Sequence, residues 1–433
     1  MAAPTMGSVA IVGGGWAGLA CALKLAKAGY APVVLESAPE PGGRARRAHV
    51  EGRDRDNGQH LMLGGCQSLR ALFEAVGIQL PVVPFTFSSG IRQLSVPAQA
   101  GRLGLALALC RARGFSWLER YQLLRALTNL QIRHWHVDQT LTVADWLQQA
   151  KQPASLINEF WAPLALAILN TPLHEAAMWR LAPVLRDTLG HGGSALCLLQ
   201  PASNLSASIV DPIVSAIQQA GGRIRCGVRV SGVEQTTSGY QLLIHNASAE
   251  VFDQVVLALP TWALNHLSLP PSLNATAWAQ AFGSQPIATI YLGFESSFCL
   301  PAPLIQLAGP MPEDARVWAM DRAHCAEPGV VAISLSAEGP WHALSGDALT
   351  QACLCALQNA VENLPPCLWQ KAVTVQRATY AATPAAFINE ADLTPLSGLY
   401  LSGDWAHPAY PATLEAAVSS GFAAAQRIMQ AET

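Results

Sequence analysis

SVAIVGGGWAGLACALKLAKAGYAPVVLE, residues 8–36, decides the fold. Ser8–Val12 reads as a short buried strand, a helical period takes over from about Trp16 to Ala28, and Pro32–Glu36 reads as a second strand. The turn between them, Gly13-Gly14-Gly15-Trp16-Ala17-Gly18, satisfies G-x-G-x-x-G where that pattern has meaning, after a strand and at the start of a helix. Gly13 permits the tight turn, Gly15 lets the backbone approach a pyrophosphate, and Gly18 lets the helix pack closely on the sheet. Trp16 and Ala17 complete the phosphate-facing loop, whose free N–H groups and helix dipole favour negative charge. Glu36, at the end of the second strand, is placed to accept hydrogen bonds from ribose hydroxyls. Alone, this unit specifies a dinucleotide without saying which.

Outward from it, Pro41-Gly42-Gly43-Arg44-Ala45-Arg46 follows almost at once. This stretch resembles the GG-R-x motif of the amine oxidase and phytoene desaturase superfamily of FAD enzymes. The resemblance implies Gly43 and Arg44 against the diphosphate, a role that suits a rigid, permanently charged guanidinium; a solvated basic turn is the alternative. Gly403-Asp404-Trp405, then Tyr410-Pro411-Ala412-Thr413-Leu414-Glu415-Ala416-Ala417, resembles the same superfamily's second FAD motif. It implies Asp404, after Gly403, at the ribityl or phosphate end. It also implies the backbone of Thr413 and Leu414, at a helix N-terminus, facing the isoalloxazine carbonyl. Val230 matches the position whose backbone meets adenine, or is an ordinary strand valine. Ala416-Ala417 stands where that superfamily often has Gly-Ala, which bears on helix–flavin spacing. No cysteine follows Cys367, which argues against a cysteinyl link there, so FAD is expected to bind without a covalent bond.

Asp56-Asn57-Gly58-Gln59-His60-Leu61-Met62-Leu63-Gly64 narrows the resemblance. With Trp161-Ala162-Pro163-Leu164 and Leu169-Asn170-Thr171-Pro172, it is similar to the squalene-associated FAD-dependent desaturases, a group understood as hydroxysqualene dehydroxylases of hopanoid and squalene synthesis. That similarity covers essentially the whole chain. It implies reductive removal of an allylic hydroxyl from an apolar C30 isoprenoid, with Gly58 and Gln59 beside the flavin and a reductant the sequence does not identify. His60 is the candidate acid, Asp56 orienting it; equally, His60 or Gln59 hydrogen-bonds the flavin or backbone. Rival readings are a carotenoid or squalene desaturase, a flavin amine oxidase, and a non-catalytic FAD-binding protein. Amine oxidases generally carry a lysine near the flavin on a substrate-domain strand; the four lysines here are 24, 27, 151 and 371, none within Ile287–Phe294.

Composition sets the bounds. Across 433 residues, 51% are apolar and 13% charged, which excludes disorder and points to extra apolar surface along a cavity or at a membrane. A net charge of -3 leaves no footprint for nucleic acid. Ten cysteines without CxxC and eleven histidines without HExxH give no metal site. The apolar start lacks a basic n-region and is cut by Gly13 to Gly15, so it is not read as a signal, and Pro and Gly break every uncharged stretch. A cytoplasmic protein is expected, membrane-associated at the inner face if residues 101–137 bind there. These hold Arg102, Arg111, Arg113, Arg120, Arg125 and Arg133 with one acid, Glu119, among Leu, Trp and Phe. Such a basic amphipathic stretch reads as a membrane-surface element or as a helical hairpin with a solvated basic face.

The expected fold is α/β: a Rossmann-type FAD-binding domain with an inserted α+β substrate domain. Residues 1–66, 201–260 and 391–433 are assigned to the first, after a short tail over 1–7, and 67–200 and 261–390 to the second. The stretch 67–200 is expected to be mostly helical. Ile224–Val233 is expected to pair with Gln241–His245.

Overall fold

The computed structural model describes residues 7–89, 92–271 and 273–431; of the tail expected over 1–7, all but Gly7 lies outside them. A five-stranded parallel sheet runs in the order Arg223–Cys226, Val33–Glu36, Val9–Val12, Gln254–Leu257, Leu399–Leu401. Val9–Val12 and Gln254–Leu257 are buried at every position, as central parallel strands covered on both faces must be. The glycine-loop helix Trp16–Lys27 packs on the C-terminal helix Leu414–Ala431. Their contact is so close that a Cβ on Gly421 would lie 2.2 Å from the Ala17 carbonyl oxygen. This is the α/β core the first motif required, assembled from three stretches far apart in the chain.

Two expectations need correction. Ile224–Val233 is not one strand: the chain turns at Gly227, whose φ is +73°. Arg223–Cys226 therefore joins the parallel sheet beside Val33–Glu36, and only Val230–Thr236 pairs antiparallel with Gly239–Ile244. The stretch 67–200 is largely helical but also supplies Phe85–Ser88 and Gln93–Val96 to a second sheet. Strands this short carry too few residues for periodicity to reveal.

That second sheet has seven strands, in the order Trp369–Thr379, Gln285–Gly293, Val330–Ser336, Val317–Asp321, Leu304–Leu307, Phe85–Ser88, Gln93–Val96. Alternation divides its faces. Ala288, Ile290, Leu292, Ile333 and Leu335 cluster with Leu349, Cys353 and Leu357 of the helix Gly346–Ala360. Leu304, Met320 and Trp318, on the other face, pack with the helical insertion and Trp405.

A buried polar network joins a separate two-stranded hairpin to the seven-stranded sheet. The hairpin Arg47–Val50 and Arg53–Asp56 ends at Asp56, whose carboxylate accepts from the Leu205 N–H (2.7 Å) and from Arg322 (3.0 Å). Arg322 also donates to Gln59 (2.9 Å) and Glu327 (3.4 Å). Tyr291 donates to the Asp56 carbonyl (2.6 Å) and accepts from Gln59 (2.9 Å). Among the described residues, no helix is long and apolar enough to cross a membrane.

Arg322→Met should cost about 3–5 kcal/mol in urea unfolding, because it strands the Asp56 and Glu327 carboxylates in the interior. Arg322→Met combined with Asp56→Asn should recover part of that loss, which a double-mutant cycle measures.

Candidate active site

The carboxyl ends of the parallel strands meet at one edge, and the glycine loop occupies it. Gly13 has φ +107°, and its N–H donates to the Leu35 carbonyl (2.8 Å). A Cβ there would lie 2.4 Å from the Ala258 carbonyl oxygen, so the turn admits glycine alone. Gly15 caps the helix without a side chain, leaving the first-turn N–H groups of Trp16, Ala17 and Gly18 without intrahelical acceptors. The side chain of Trp16 turns into the core and donates to the Ala45 carbonyl (3.0 Å). Trp16 therefore offers a ligand its backbone and braces the loop with its indole.

Glu36 is tied more tightly than the sequence implies. One carboxylate oxygen accepts from Gly14 N–H (2.7 Å) and the other from Ala38 N–H (2.8 Å). Val228 N–H reaches the Glu36 carbonyl (2.9 Å), which brings the start of the strand at Val230 alongside. The second glycine loop docks on the first: Gly42 N–H donates to the Gly14 carbonyl (2.8 Å), and Gly43 abuts Gly15.

Arg44 and Asp404 form an ion pair at 2.6 Å, and Arg44 also donates to the Ala378 carbonyl (3.1 Å). A narrow recess, open to solvent, lies beside them, walled by Thr379, Tyr380, Trp262 and Trp405. Gly403 N–H donates to Ser420 Oγ (3.1 Å), and Thr413 Oγ1 caps the C-terminal helix at Ala416 N–H (3.2 Å), with Leu414 its first residue. Glu415 faces away from this space: it accepts from Ser68 N–H (2.7 Å) and Leu69 N–H (2.9 Å), capping the helix Gln67–Val76.

The Asp56–His60 segment reaches the same region. Asn57 donates to the Arg44 carbonyl (2.8 Å). Gln59 has its carbonyl oxygen on Arg322 and its amide nitrogen on Tyr291, so it works as an anchor between sheets. Asp56 does not orient His60, since its carboxylate is held by Leu205 and Arg322. His60 Nε2 is sealed from solvent without a partner, 3.6 Å from where a Cβ on Gly58 would stand. Burial pushes the imidazole below its ordinary range; Asp56 pulls it up and Arg44 adds to the depression. A neutral ring with an unanswered polar atom results.

Sequence reasoning missed Arg322, Tyr291 and Arg180. The available signal was a single arginine inside an apolar run, as in Met178-Trp179-Arg180-Leu181, since an arginine is almost never fully buried unless paired. Lys371 registers opposite Tyr291 on the adjacent strand, but it is exposed.

A wider groove of about 230 Å³, open to solvent, lies against the second sheet, walled by Pro163, Leu173, Trp318 and Trp341 on one side and by Glu313, Asp314 and Arg316 on another. Asn170 fixes its wall: it donates to Thr379 Oγ1 (2.8 Å) and the Pro286 carbonyl (3.2 Å) and accepts from Ala337 N–H. Residues 101–137 form the helices Arg102–Arg111 and Trp117–Ile132. Of eleven exposed large hydrophobics among the described residues, six lie here: Leu103, Leu107, Trp117, Leu118, Tyr121 and Ile132. Arg120 is structural, donating to the carbonyls of Phe115 and Ala112 (3.1 and 2.7 Å). Glu119 turns inward to Arg92 (2.7 Å) and Ser155 (2.6 Å), so the outer face carries arginines without an acid.

The fit to FAD is good: two abutting glycine loops leave backbone room, first-turn N–H groups have no intrahelical acceptor, a guanidinium lines the recess, and a buried imidazole nitrogen within its field has no partner. A family model described as flavin containing amine oxidoreductase matches residues 16–429. A hydroxysqualene dehydroxylase of Rhodopseudomonas palustris is 29% identical, with 98% of this chain and 99% of that protein aligned. Another of Zymomonas mobilis is 25% identical over 96% of this chain and 97% of its own. A 15-cis-phytoene desaturase of Glycine max is 23% identical, covering 98% and 79% respectively. Among solved structures, an oxidoreductase from Methanosarcina mazei superposes with a TM-score of 0.74 at 15% identity, covering 96% of this chain and 99% of that one. Cyclohexylamine oxidase from Brevibacterium oxydans gives 0.72 at 16% identity, covering 98% and 99%.

Arg44→Ala should weaken FAD binding to the apoprotein by about 10–100-fold, the size of a lost charge-assisted contact of ~1.5–3 kcal/mol. Arg47→Ala, which removes the ion pairs to Glu40 and Asp211, should leave it within about threefold. Flavin fluorescence titration reads both.

Proposed function

The chain belongs to the flavin-containing amine oxidoreductase family and is an FAD-dependent oxidoreductase, and from that premise we propose that it removes the allylic hydroxyl of hydroxysqualene to give squalene and water. The observation that carries this reading is His60 Nε2, a protonatable nitrogen sealed without a partner on the segment that Asn57 fixes to Arg44. Near-full-length relatives named hydroxysqualene dehydroxylase support the choice of substrate. FAD supplies the hydride when bound in reduced form, and an external reductant must restore it.

The chain itself must supply a proton, a dry wall and orientation. His60 is the proposed proton donor. Its depressed pKa makes the imidazolium scarce at neutral pH but a stronger acid once formed. Asn57 and Gln59 fix its segment to Arg44, Tyr291 and Arg322. Gly13, Gly15, Gly43, Arg44, Asp404 and the N-terminus of the C-terminal helix are the proposed FAD contacts, with Glu36 and Val230 at the adenosine end. In this reading the anchored Gln59 acts on the flavin only through the segment it holds.

We extend the proposal to where substrate is met. A C30 isoprenoid resides in a bilayer, and the helices Arg102–Arg111 and Trp117–Ile132 present exposed Leu, Trp and Tyr beside arginines. That combination matches an interfacial element on an anionic leaflet.

Pre-reduced enzyme incubated anaerobically with hydroxysqualene should yield squalene by mass while the flavin reoxidises. Desaturated products from squalene or phytoene, or hydrogen peroxide from an amine panel, would replace this reading. Single-turnover flavin oxidation should quicken as pH falls through the His60 pKa, which burial sets below the ordinary imidazole range, and His60→Ala should slow it ~10²–10⁴-fold and abolish the dependence. Near-normal turnover in His60→Ala ends the acid assignment.

Liposomes with anionic lipid should co-sediment the protein, and neutral ones should bind it less. Changing Arg111, Arg113, Arg125 and Arg133 to Gln, with Arg120 kept, should abolish the difference, at ~1 kcal/mol per arginine. Unchanged sedimentation rejects the membrane face.

A further inference from the structure

Four arginines are buried among the described residues, and three have carboxylates against them. Arg55 meets Glu327, Arg92 meets Glu119 and Glu159, and Arg322 meets Asp56 and Glu327. Arg180, 0% exposed in the helix Met178–Asp187, has none. Its guanidinium lies over the rings of Trp179 (4.3 Å) and Tyr380 (5.2 Å) and donates to the carbonyls of Tyr410 (2.7 Å) and Ala386. Its Nε has no acceptor.

Neighbouring charges answer it only in part, through the field of Asp404. Asp404 is paired with Arg44, and Asp187 with Arg186 (2.6 Å) and the Tyr410 hydroxyl. Glu415 is held by Ser68 and Leu69 N–H groups. His407 accepts at Nδ1 from Ala409 and Tyr410 N–H groups, and burial drives it down to about 4, so it carries no charge. An isolated buried cation costs several kcal/mol, and a guanidinium does not escape by losing its proton.

Tyr380 stacks on this cation and also walls the space beside Arg44 and Asp404. Its hydroxyl donates to the same Tyr410 carbonyl (3.1 Å), a few residues before Thr413 caps the C-terminal helix. A fixed positive charge thus stands behind the proposed flavin site, on the segment that leads to the helix N-terminus.

We propose that Arg180 is a positioning residue that holds this standing charge for the reduced form of FAD. Two electrons and one proton added to FAD leave the ring a monoanion, and the surplus cation stabilises that state over the neutral oxidised one. The proposal concerns the cofactor and is independent of which substrate is used.

The test uses holoenzyme with Arg180→Met, Arg180→Gln and Arg180→Lys, reduced with dithionite against a reference dye. Loss of charge should lower the reduced-to-oxidised ratio of FAD at a fixed potential about tenfold, ~30 mV for this two-electron couple. Arg180→Lys should stay within about threefold of the parent. Sulfite, whose adduct with oxidised flavin is anionic, should bind the Met and Gln variants about tenfold more weakly. An unchanged potential in either uncharged variant that retains FAD overturns the proposal. So does a fall in Arg180→Lys as large as in Arg180→Gln, since that marks a purely structural clamp. Should both uncharged variants purify without FAD, the Lys variant decides by its potential and sulfite affinity alone.

Discussion

Arg44 and Asp404, 360 residues apart in sequence, meet at 2.6 Å, and the active-site geometry depends on that meeting. Each sits just beyond the carboxyl end of a parallel strand or the loop that leaves it. All five strands point the same way, so Gly13, Ala258 and Gly403 emerge along one edge of the sheet. Open α/β sheets bind ligands in the crevice at that edge. With Arg44 one-third exposed, the pair adds little stability. Its consequence is geometric: it locks the second glycine loop to the C-terminal motif.

A second junction makes the site a two-sheet structure. Asp56 and Arg322 are about 95% buried, and with Gln59, Glu327 and Tyr291 they form a nearly closed network between the hairpin and the seven-stranded sheet. Arg322 Nε and one Glu327 oxygen are left without a hydrogen bond, but the ion pairs around them still specify one arrangement of the packed parts. Here they set where His60 stands. Arg180 is the contrasting case, a buried cation whose complement is not a protein carboxylate. The same fold therefore uses buried arginine in two ways, as a bolt between sheets and as a source of field.

Charge counting along the chain treated six arginines in 101–137 alike. Tertiary structure separates them: Arg120 ends the first helix by its carbonyls, Glu119 is withdrawn inward, and the remaining arginines share an outer face with exposed apolar side chains. A sequence window records neither which carbonyls a guanidinium reaches nor which way a carboxylate turns.

The sequence by itself determined the nucleotide unit, because glycine spacing, a following helix and a terminal Glu36 are local properties read within one βαβ unit. Family resemblance in Arg44, Gly403 and Asp404 extended that to FAD, since each motif is also short. What the sequence could not determine was pairing across distance. It merged Arg223–Cys226 with Val230–Thr236, which lie in different sheets, because a left-handed Gly227 breaks the strand without interrupting its pattern. It did not show that Tyr291 and Arg322 hold the Gln59 side chain and that Arg322 holds the Asp56 carboxylate. It passed over Arg180. Those outcomes depend on which groups water can no longer reach, and burial is decided only when all the segments have closed around one another.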